Sequence, residues 1–431
     1  MQLRSFKAQG FKNFRQPVVL ENLGPINVIH GPNNVGKSNL LQAIELFFFL
    51  MRLDLGVIST LPMQGLLPLT DETLAQGGLR RTDIFNLVAP VPIQLEAVIV
   101  TEPAQLRGVG IDPDVLPLEL VRLVVELRWM GDHVTYTVLR FEIRDGKDYV
   151  KATMTPAEAI HLAAFAKLVG STPRSSIAAD LRLARIPVDR LASPELALAL
   201  YDARESTELD RSRRWGRFVK AMAAFEDILG AGTFVVAYDR KSNLAQLLYE
   251  TAGARTPLRL LGSGVQQLAA LLGTVLVGGA TIVGIEEPEL NLRYTLQLRL
   301  REVLSGLVGG PGGLDQLFLT SHSDAFEAGT HFYFMEPRPD GPRVEKRGVE
   351  GARTALGITT QGALPDPNAV LCYLSTDGVV RVPARIRDAI GLPRGGGVVF
   401  VGRDGGVEMM SDDTFADRFE PRSGDEGNDD A

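Results

Sequence analysis

Eight residues, GPNNVGKS from Gly31 to Ser38, follow the apolar run INVIH and open a segment of helix formers. They fit G-x-x-x-x-G-K-[ST] in the strand–loop–helix setting that gives the pattern its meaning. Glycines let backbone N–H groups turn inward around a polyphosphate, and the helix N-terminus adds its positive end. In that cradle Gly31, Pro32, Asn33, Asn34, Val35, Gly36, Lys37, Ser38 and the following Asn39 contact the nucleotide. Lys37 reaches the β- and γ-phosphates of ATP, and the Ser38 hydroxyl holds Mg²⁺. A bare glycine turn capping a helix is the bland alternative, and motif plus context weigh against it.

The second stretch is IVGIEEPELNL, an apolar strand that ends in three carboxylates within four residues, Glu286, Glu287 and Glu289. Such charges repel unless each has a task. A strand next to a phosphate loop delivers an acid to Mg²⁺, which assigns Glu286 as the metal ligand. Glu287 then faces the γ-phosphate and polarises an attacking water. Glu289 and Asn291 follow on a turn suited to meeting a second subunit. A solvated acidic strand end is common, but here an apolar run enters the pair and Pro288 fixes the exit. Two further elements complete the set. In LLGSGVQQLAALL, Ser263 is expected at the N-cap of an amphipathic helix, a second anion-binding helix end. In LFLTSHS a strand ends at His322, a candidate γ-phosphate sensor beside the other three; alone, either would be an ordinary structural residue.

These groups need a scaffold. INVIH reads as a buried strand fed by two antiparallel strands in residues 1–24, and a helix follows from about Lys37 to Leu50. IQLEAVIV and LELVRLVVELRWM are strand-like, whereas TPAEAIHLAAFAKLV, SPELALALYDARES and SRRWGRFVKAMAAFEDIL are apolar at helical spacing. LAQLLYE fits either element. VQQLAALLGTVL (helix), ATIVGIEE (strand), RYTLQLRLREVL (helix) and QLFLTSHS (strand) alternate as a parallel sheet with covered faces requires. The chain has 431 residues, 45% of them apolar, enough for more than one core. Its single cysteine, Cys372, and five scattered histidines rule out a disulfide framework and a cysteine-built zinc site within one chain, and point to a reducing cytoplasm. The N-terminus lacks the apolar run of a signal peptide, and LLQAIELFFFLMRLDLGVI, broken by Glu45, Arg52 and Asp54, reads as a buried helix; no membrane is expected. A net charge of −7 argues against an overall basic coat but not against a local nucleic-acid groove.

In this order the four elements resemble the ABC-type ATPases of the SMC/RecF/OLD group. FKNF followed by INVIHGPNNVGKSNLLQAI looks like that family's opening, GSGVQ stands at its signature sequence, GIEEPELNL resembles its Walker B with the EPE extension, and TSHS its switch histidine. The likeness covers residues 1–50 and 255–335 well and 51–254 in outline. It implies an α/β P-loop NTPase, an ABC-type ATPase head over 1–345 with 51–254 as an inserted helical/β lid region. It also implies that Ser263, Gly264 and Gln266 of one subunit close over ATP held by Lys37 of another, with Glu287 and His322 catalytic. The sequence departs from the pattern where Glu286 replaces an Asp, where Val265 replaces a glycine and where LNLR follows EPE. The glutamine loop has no clear counterpart, Gln94 being the nearest candidate. No heptad arms interrupt the middle.

Beyond a linker at 346–368, residues 369–412 lack the acidic set of the nuclease domain that OLD relatives carry there. DGVVRVPARIRDAIGLPRGGGVVFV instead looks like the swapped hairpin of AbrB and MazE proteins, a small β-rich dimerisation or DNA-binding domain. Arg381, Arg385, Arg387 and Arg394 are its candidate DNA contacts, with solvated arginines as the equal alternative. Residues 413–431 read as a disordered acidic tail. The expected whole is an ATP- and Mg²⁺-dependent ATPase forming a homodimer or higher homo-oligomer. It would act with DNA or a separate effector, a nuclease or toxin, in anti-phage defence or DNA repair. A non-hydrolytic ATP-gated scaffold and a transporter nucleotide-binding subunit are the alternatives.

Overall fold

The computed structural model describes residues 1–52, 67–76, 79–85, 91–108, 110–114, 119–145, 148–151, 194–239, 241, 244–277, 281–309, 313–327, 332–348, 382, 384–392, 398–403 and 406–419. The chain divides into two compact units, Met1–Ala352 and Arg353–Ala431.

The first unit opens with β1 (Gln2–Gln9), β2 (Val18–Leu20) and β3 (Ile26–His30), followed by helix α1 (Lys37–Arg52). Strands β4 (Leu67–Leu69), β5 (Ile93–Val100), β6 (Leu120–Trp129), β7 (Val134–Asp145) and β8 (Asp148–Lys151) come next. They join β1 and β2 in one antiparallel sheet, ordered β2-β1-β5-β6-β7-β4 with β8 on β7. Alternation decides its faces: Leu95, Ala97, Ile99, Val121, Leu123, Val125 and Leu127 point inward and are buried. On the opposite face Arg122 on β6 pairs with Glu96 and with Glu142, its cross-strand partner. Strands β5 to β8, within the 51–254 stretch expected as an inserted lid, thus extend the N-terminal sheet through the pairing of β5 with β1 and share its core.

The second sheet positions the chemistry. Strands β12 (Ile282–Glu286), β13 (Gln316–Ser321) and β14 (Phe332–Glu336) run parallel with β3, and β15 (Arg343–Arg347) closes the edge antiparallel, in the order β12-β13-β3-β14-β15. Helix α1 packs against β1 and β13, between the two sheets. Leu40, Leu41, Ile44, Phe47, Phe48 and Met51 are all buried on the wide apolar face of the helix, while Ser38, Gln42 and Glu45 share the opposite, half-buried stripe. Each such side chain contributes about 1.5–3 kcal/mol of burial. Gln316 ties the sheets together by polar means. Its amide donates to Leu3 O (2.8 Å) and Gly24 O (2.9 Å) and accepts from Leu3 N (2.8 Å), so a fully buried side chain is satisfied.

A third layer follows, comprising α2 (Pro194–Glu205), α3 (Leu209–Ala223), a three-stranded antiparallel sheet of β9 (Thr233–Asp239), β10 (Leu244–Glu250) and β11 (Arg255–Pro257), and α4 (Ser263–Val277). The ambiguous LAQLLYE is therefore a strand, β10, fixed by pairing on both sides. The α2–α4 crossing is close because Gly273 lacks a side chain: a Cβ there would sit 3.2 Å from Leu196 Cδ1. Helix α5 (Tyr294–Gly306) connects β12 to β13. The expected helix TPAEAIHLAAFAKLV lies outside the described residues.

The described part of the second unit has helix α6 (Ala384–Ala389), a hairpin of β16 (Val398–Arg403) and β17 (Gly406–Ser411), and helix α7 (Asp412–Phe419). That last helix corrects the expectation of disorder from residue 413. Ser411 Oγ accepts from Thr414 N (3.2 Å), Asp412 and Asp413 stand in the first turn, and Arg418 pairs with Glu408. A capped N-terminus with acids beside it stabilises a short helix that composition alone reads as disordered.

Candidate functional site

Three parallel strands end side by side: Glu286 is level with Thr320 in the β12–β13 register, and Ser321 with His30 in β13–β3. Ligands of open α/β sheets bind beyond these carboxyl ends. From His30 the chain turns sharply through Gly31 (φ 147°), Asn34 (φ 63°) and Gly36 (φ 113°) before α1 begins at Lys37. Both glycines also have close neighbours. A Cβ on Gly31 would lie 2.5 Å from Met335 O, and one on Gly36 would lie 2.9 Å from Asn13 Nδ2. Pro32, Asn33 and Asn34 are exposed, Ser38 and Asn39 half-buried, and Val35 buried.

Lys37 is buried and curls over the loop, donating to Gly31 O (2.8 Å) and Pro32 O (3.1 Å). Burial pushes its amine down to about 8, against the opposite pull of Glu287, Glu289 and Glu286. Its Nζ lies 2.9 Å from His322 Nε2, and the same nitrogen lies 3.3 Å from Glu287 Oε1. One ring nitrogen cannot serve both at once: accepting from Lys37 needs its lone pair, donating to Glu287 needs a proton. Glu287 sits at φ 45°, a left-handed conformation costly to a side chain with a Cβ, and its N–H donates to Thr320 O (2.8 Å). Strain of this kind gathers at functional sites. Glu286, at the buried strand end, and Ser38 offer hard oxygen ligands. Mg²⁺ held by one or two such groups plus substrate phosphates suits that donor set.

Asn13, within the FKNF stretch, was not singled out by sequence reasoning. Its Nδ2 donates to Val35 O (3.0 Å) and its Oδ1 accepts from Asn39 Nδ2 (2.8 Å), bracing the loop from outside. Beside it opens a cleft of about 570 Å³ lined by Lys12, Asn13, Arg15, Asn34, Arg338 and Gly341, among others. Asn39 thus faces Asn13.

The remaining predicted residues lie elsewhere. Ser263 is exposed and is the first residue of α4, while Gly262 holds the cap position, its carbonyl accepting from Val265 and Gln266 N–H. A Cβ on Gly264 would stand 3.2 Å from Asn291 O, and Asn291 Nδ2 donates to Gln267 Oε1 (3.1 Å). The helix start is therefore joined to the turn after the acidic strand, and Leu260, Leu290 and Tyr294 are exposed apolar side chains of these segments. Gln266 is buried, and its amide donates to Arg259 O (3.2 Å) and Leu261 O (2.7 Å). Gln94 likewise is committed to Glu126 (2.8 Å) on the antiparallel sheet. Of the candidate DNA contacts, Arg381 and Arg394 lie outside the described residues, while Arg385 and Arg387 belong to α6.

A family model described as "AAA domain, putative AbiEii toxin, Type IV TA system" matches residues 156–326, spanning Ser263, the acidic strand and His322 but not the Gly31–Ser38 loop. No curated protein matches the chain. Among solved structures, an Smc head bound to the C-winged helix domain of ScpA is similar at 14% identity and TM-score 0.52, covering 82% of this chain and 100% of that one. An SMC head domain from Thermotoga maritima is 14% identical, with TM-score 0.44, 81% of this chain and 100% of that one covered. A Pyrococcus furiosus Smc head with an extended coiled coil, bound to the C-terminal domain of ScpA, is 13% identical, with TM-score 0.45 and 82% and 98% covered. The fold is that of an SMC head domain, and residues 156–326 match the AAA-domain model. Among the described residues no helix is long and apolar enough to cross a membrane.

Proposed function

We propose that this chain binds and hydrolyses ATP with Mg²⁺, and that two copies complete each other's sites. The observation that carries the reading is the contact of Lys37 and Glu287 with one nitrogen of His322, at 2.9 and 3.3 Å, where the acidic strand meets the phosphate loop. The loop N–H groups and Lys37 bind the phosphates, and Ser38 with Glu286 would hold Mg²⁺, which supplies charge neutralisation on the β- and γ-oxygens when bound. Once the γ-phosphate takes the Lys37 ammonium, His322 Nε2 is released to face the phosphate and Glu287. Glu287 accepts the proton of the attacking water. The cleft beside Asn13 has the volume of a ligand pocket and could take the adenosine end.

Ser263 and Gly264 supply the closing face. An exposed helix start on the turn that follows Glu287, flanked by exposed Leu260, Leu290 and Tyr294, fits the nucleotide of a second copy. We assign the second unit as a hairpin dimerisation or DNA-binding module. ATP-driven closure then acts on DNA or on a separate effector protein in a defence or repair setting.

Mixing single variants tests the shared site. Lys37→Ala and Ser263→Arg should each be inactive alone, and their mixture should regain ATPase activity because one heterodimer site is intact. A mixture as inactive as its parts would leave hydrolysis to a single head and defeat the composite reading.

A further inference from the structure

Glu289, three residues beyond the acidic strand, lies opposite the His322 loop across the strand ends. Its Oε1 accepts two hydrogen bonds from that loop, from the His322 backbone N–H (2.6 Å) and from Ser321 Oγ (2.9 Å). Ser321 Oγ in turn accepts from Ser323 N (3.0 Å), so one carboxylate oxygen organises three consecutive loop residues. Gln297 on α5 clamps the same two segments from behind. Its amide donates to Leu292 O (2.8 Å) and Glu289 O (3.4 Å), and its Oε1 accepts from Ser323 Oγ.

The other carboxylate oxygen, Oε2, is buried and has no hydrogen-bond partner among the described residues. Burial raises the carboxyl pKa, against the hydrogen bonds of His322 and Ser321 and the charge of His322. Leaving a carboxylate oxygen unshared is an unfavourable way to fill space. The side chain is therefore held there for what Oε1 does.

We propose that Glu289 is a positioning residue for His322: by accepting from the His322 backbone N–H and from the Ser321 hydroxyl that also holds Ser323 N–H, it fixes the imidazole between Lys37 and Glu287. The inference rests on the hydrolytic reading above. Without the grip, the loop is free to move the ring by an ångström or more while the phosphate loop, braced by Asn13, keeps its shape. Misplacement on that scale affects the transition state more than ground-state binding. What matters is an acceptor oxygen at this point rather than a charge, so glutamine should serve and alanine should not.

The experiment is steady-state ATP hydrolysis by the full-length chain carrying Glu289→Ala, Glu289→Gln or Glu287→Gln. Alanine should lower kcat by about tenfold to 10²-fold with KM within about twofold, the scale of a small misplacement. Glutamine should return kcat to within about threefold of the parent, because the two accepted hydrogen bonds survive. A merely structural role would raise KM along with kcat loss, or leave glutamine as impaired as alanine, and either result overturns the proposal. If the alanine variant does not fold, Ser321→Ala replaces it. Removing one donor should lower kcat at constant KM, and an unchanged kcat overturns the proposal equally. Parental turnover in Glu287→Gln would remove the hydrolytic reading and this inference with it. An inactive Glu287→Gln beside a fully active Glu289→Ala would remove the inference alone.

Discussion

At the carboxyl edge of the parallel sheet, Lys37, His322 and Glu287 are linked by contacts of 2.9 and 3.3 Å, and the loop around them is braced by Asn13. At the start of α4, Ser263 is exposed, and Gly264 faces the Asn291 carbonyl and the Leu292 side chain. The first region already holds its groups in reach of one another before any ligand arrives. The second presents a helix end and apolar side chains outward. On the proposed reading, the contrast separates a phosphate-binding half that is preorganised within one chain from a closing half that would work only against a second chain. Binding and turnover should therefore respond differently to substitutions in the two regions.

The largest effect belongs to the preorganised half. Lys37→Ala removes the charge that offsets the phosphates, and ATP affinity should fall by at least about 10²-fold, measured by calorimetry. Unchanged binding would mean that the loop does not hold phosphate. Ser263→Arg should sharpen the contrast by leaving ATP affinity within about twofold while lowering turnover by about 10²-fold, as expected for loss of an anion-facing donor in the transition state. A parallel loss of affinity would erase the distinction between the halves.

The two halves were not equally legible in the sequence. GPNNVGKS and IEEPE are local patterns whose geometry follows from adjacent residues: glycines at positive φ, an apolar strand, a helix start. The grip of Glu289 on His322 and of Asn13 on Val35 spans 33 and 22 residues, and depends on the register that sets Glu286 level with Thr320. No local pattern encodes that register. The same limit explains the antiparallel sheet. IQLEAVIV was recognisable as a strand, but its pairing with β1 rather than with a separate lid follows from packing over α1. A signature-like stretch likewise says nothing about which way the Gln266 amide turns, here onto Arg259 O and Leu261 O.

A smaller, titratable effect follows from Lys37. Its amine, lowered to about 8 by burial, is protonated below that pH and neutral above it. The unfolded lysine keeps its proton up to its ordinary value, so between about 8 and that value the folded chain binds fewer protons, and its stability rises with pH. ATP prefers the charged form, so affinity should be level below pH 8 and weaken above it, by up to about tenfold per pH unit. A flat profile to pH 9.5 would contradict the buried setting of this lysine. The smallest effect is expected for Asn13→Ala, which loses its hydrogen bond to Val35 O in the loop and should raise the Kd for ATP about fivefold, at about 1 kcal/mol for a typical bond. No change would show that the loop holds its shape without this brace.

The central claim is that hydrolysis by Glu287 ends a closed state built from two heads. Glu287→Gln keeps size and hydrogen bonding but removes the proton acceptor, so turnover should fall by at least about 10²-fold while ATP still binds. The most direct measurement is the solution mass of the full-length Glu287→Gln protein with and without ATP and Mg²⁺, alongside the Glu287→Gln, Ser263→Arg double variant. The account predicts an ATP-dependent increase in assembly for the single variant and none for the double. Parental hydrolysis with no ATP-dependent change in mass would contradict it.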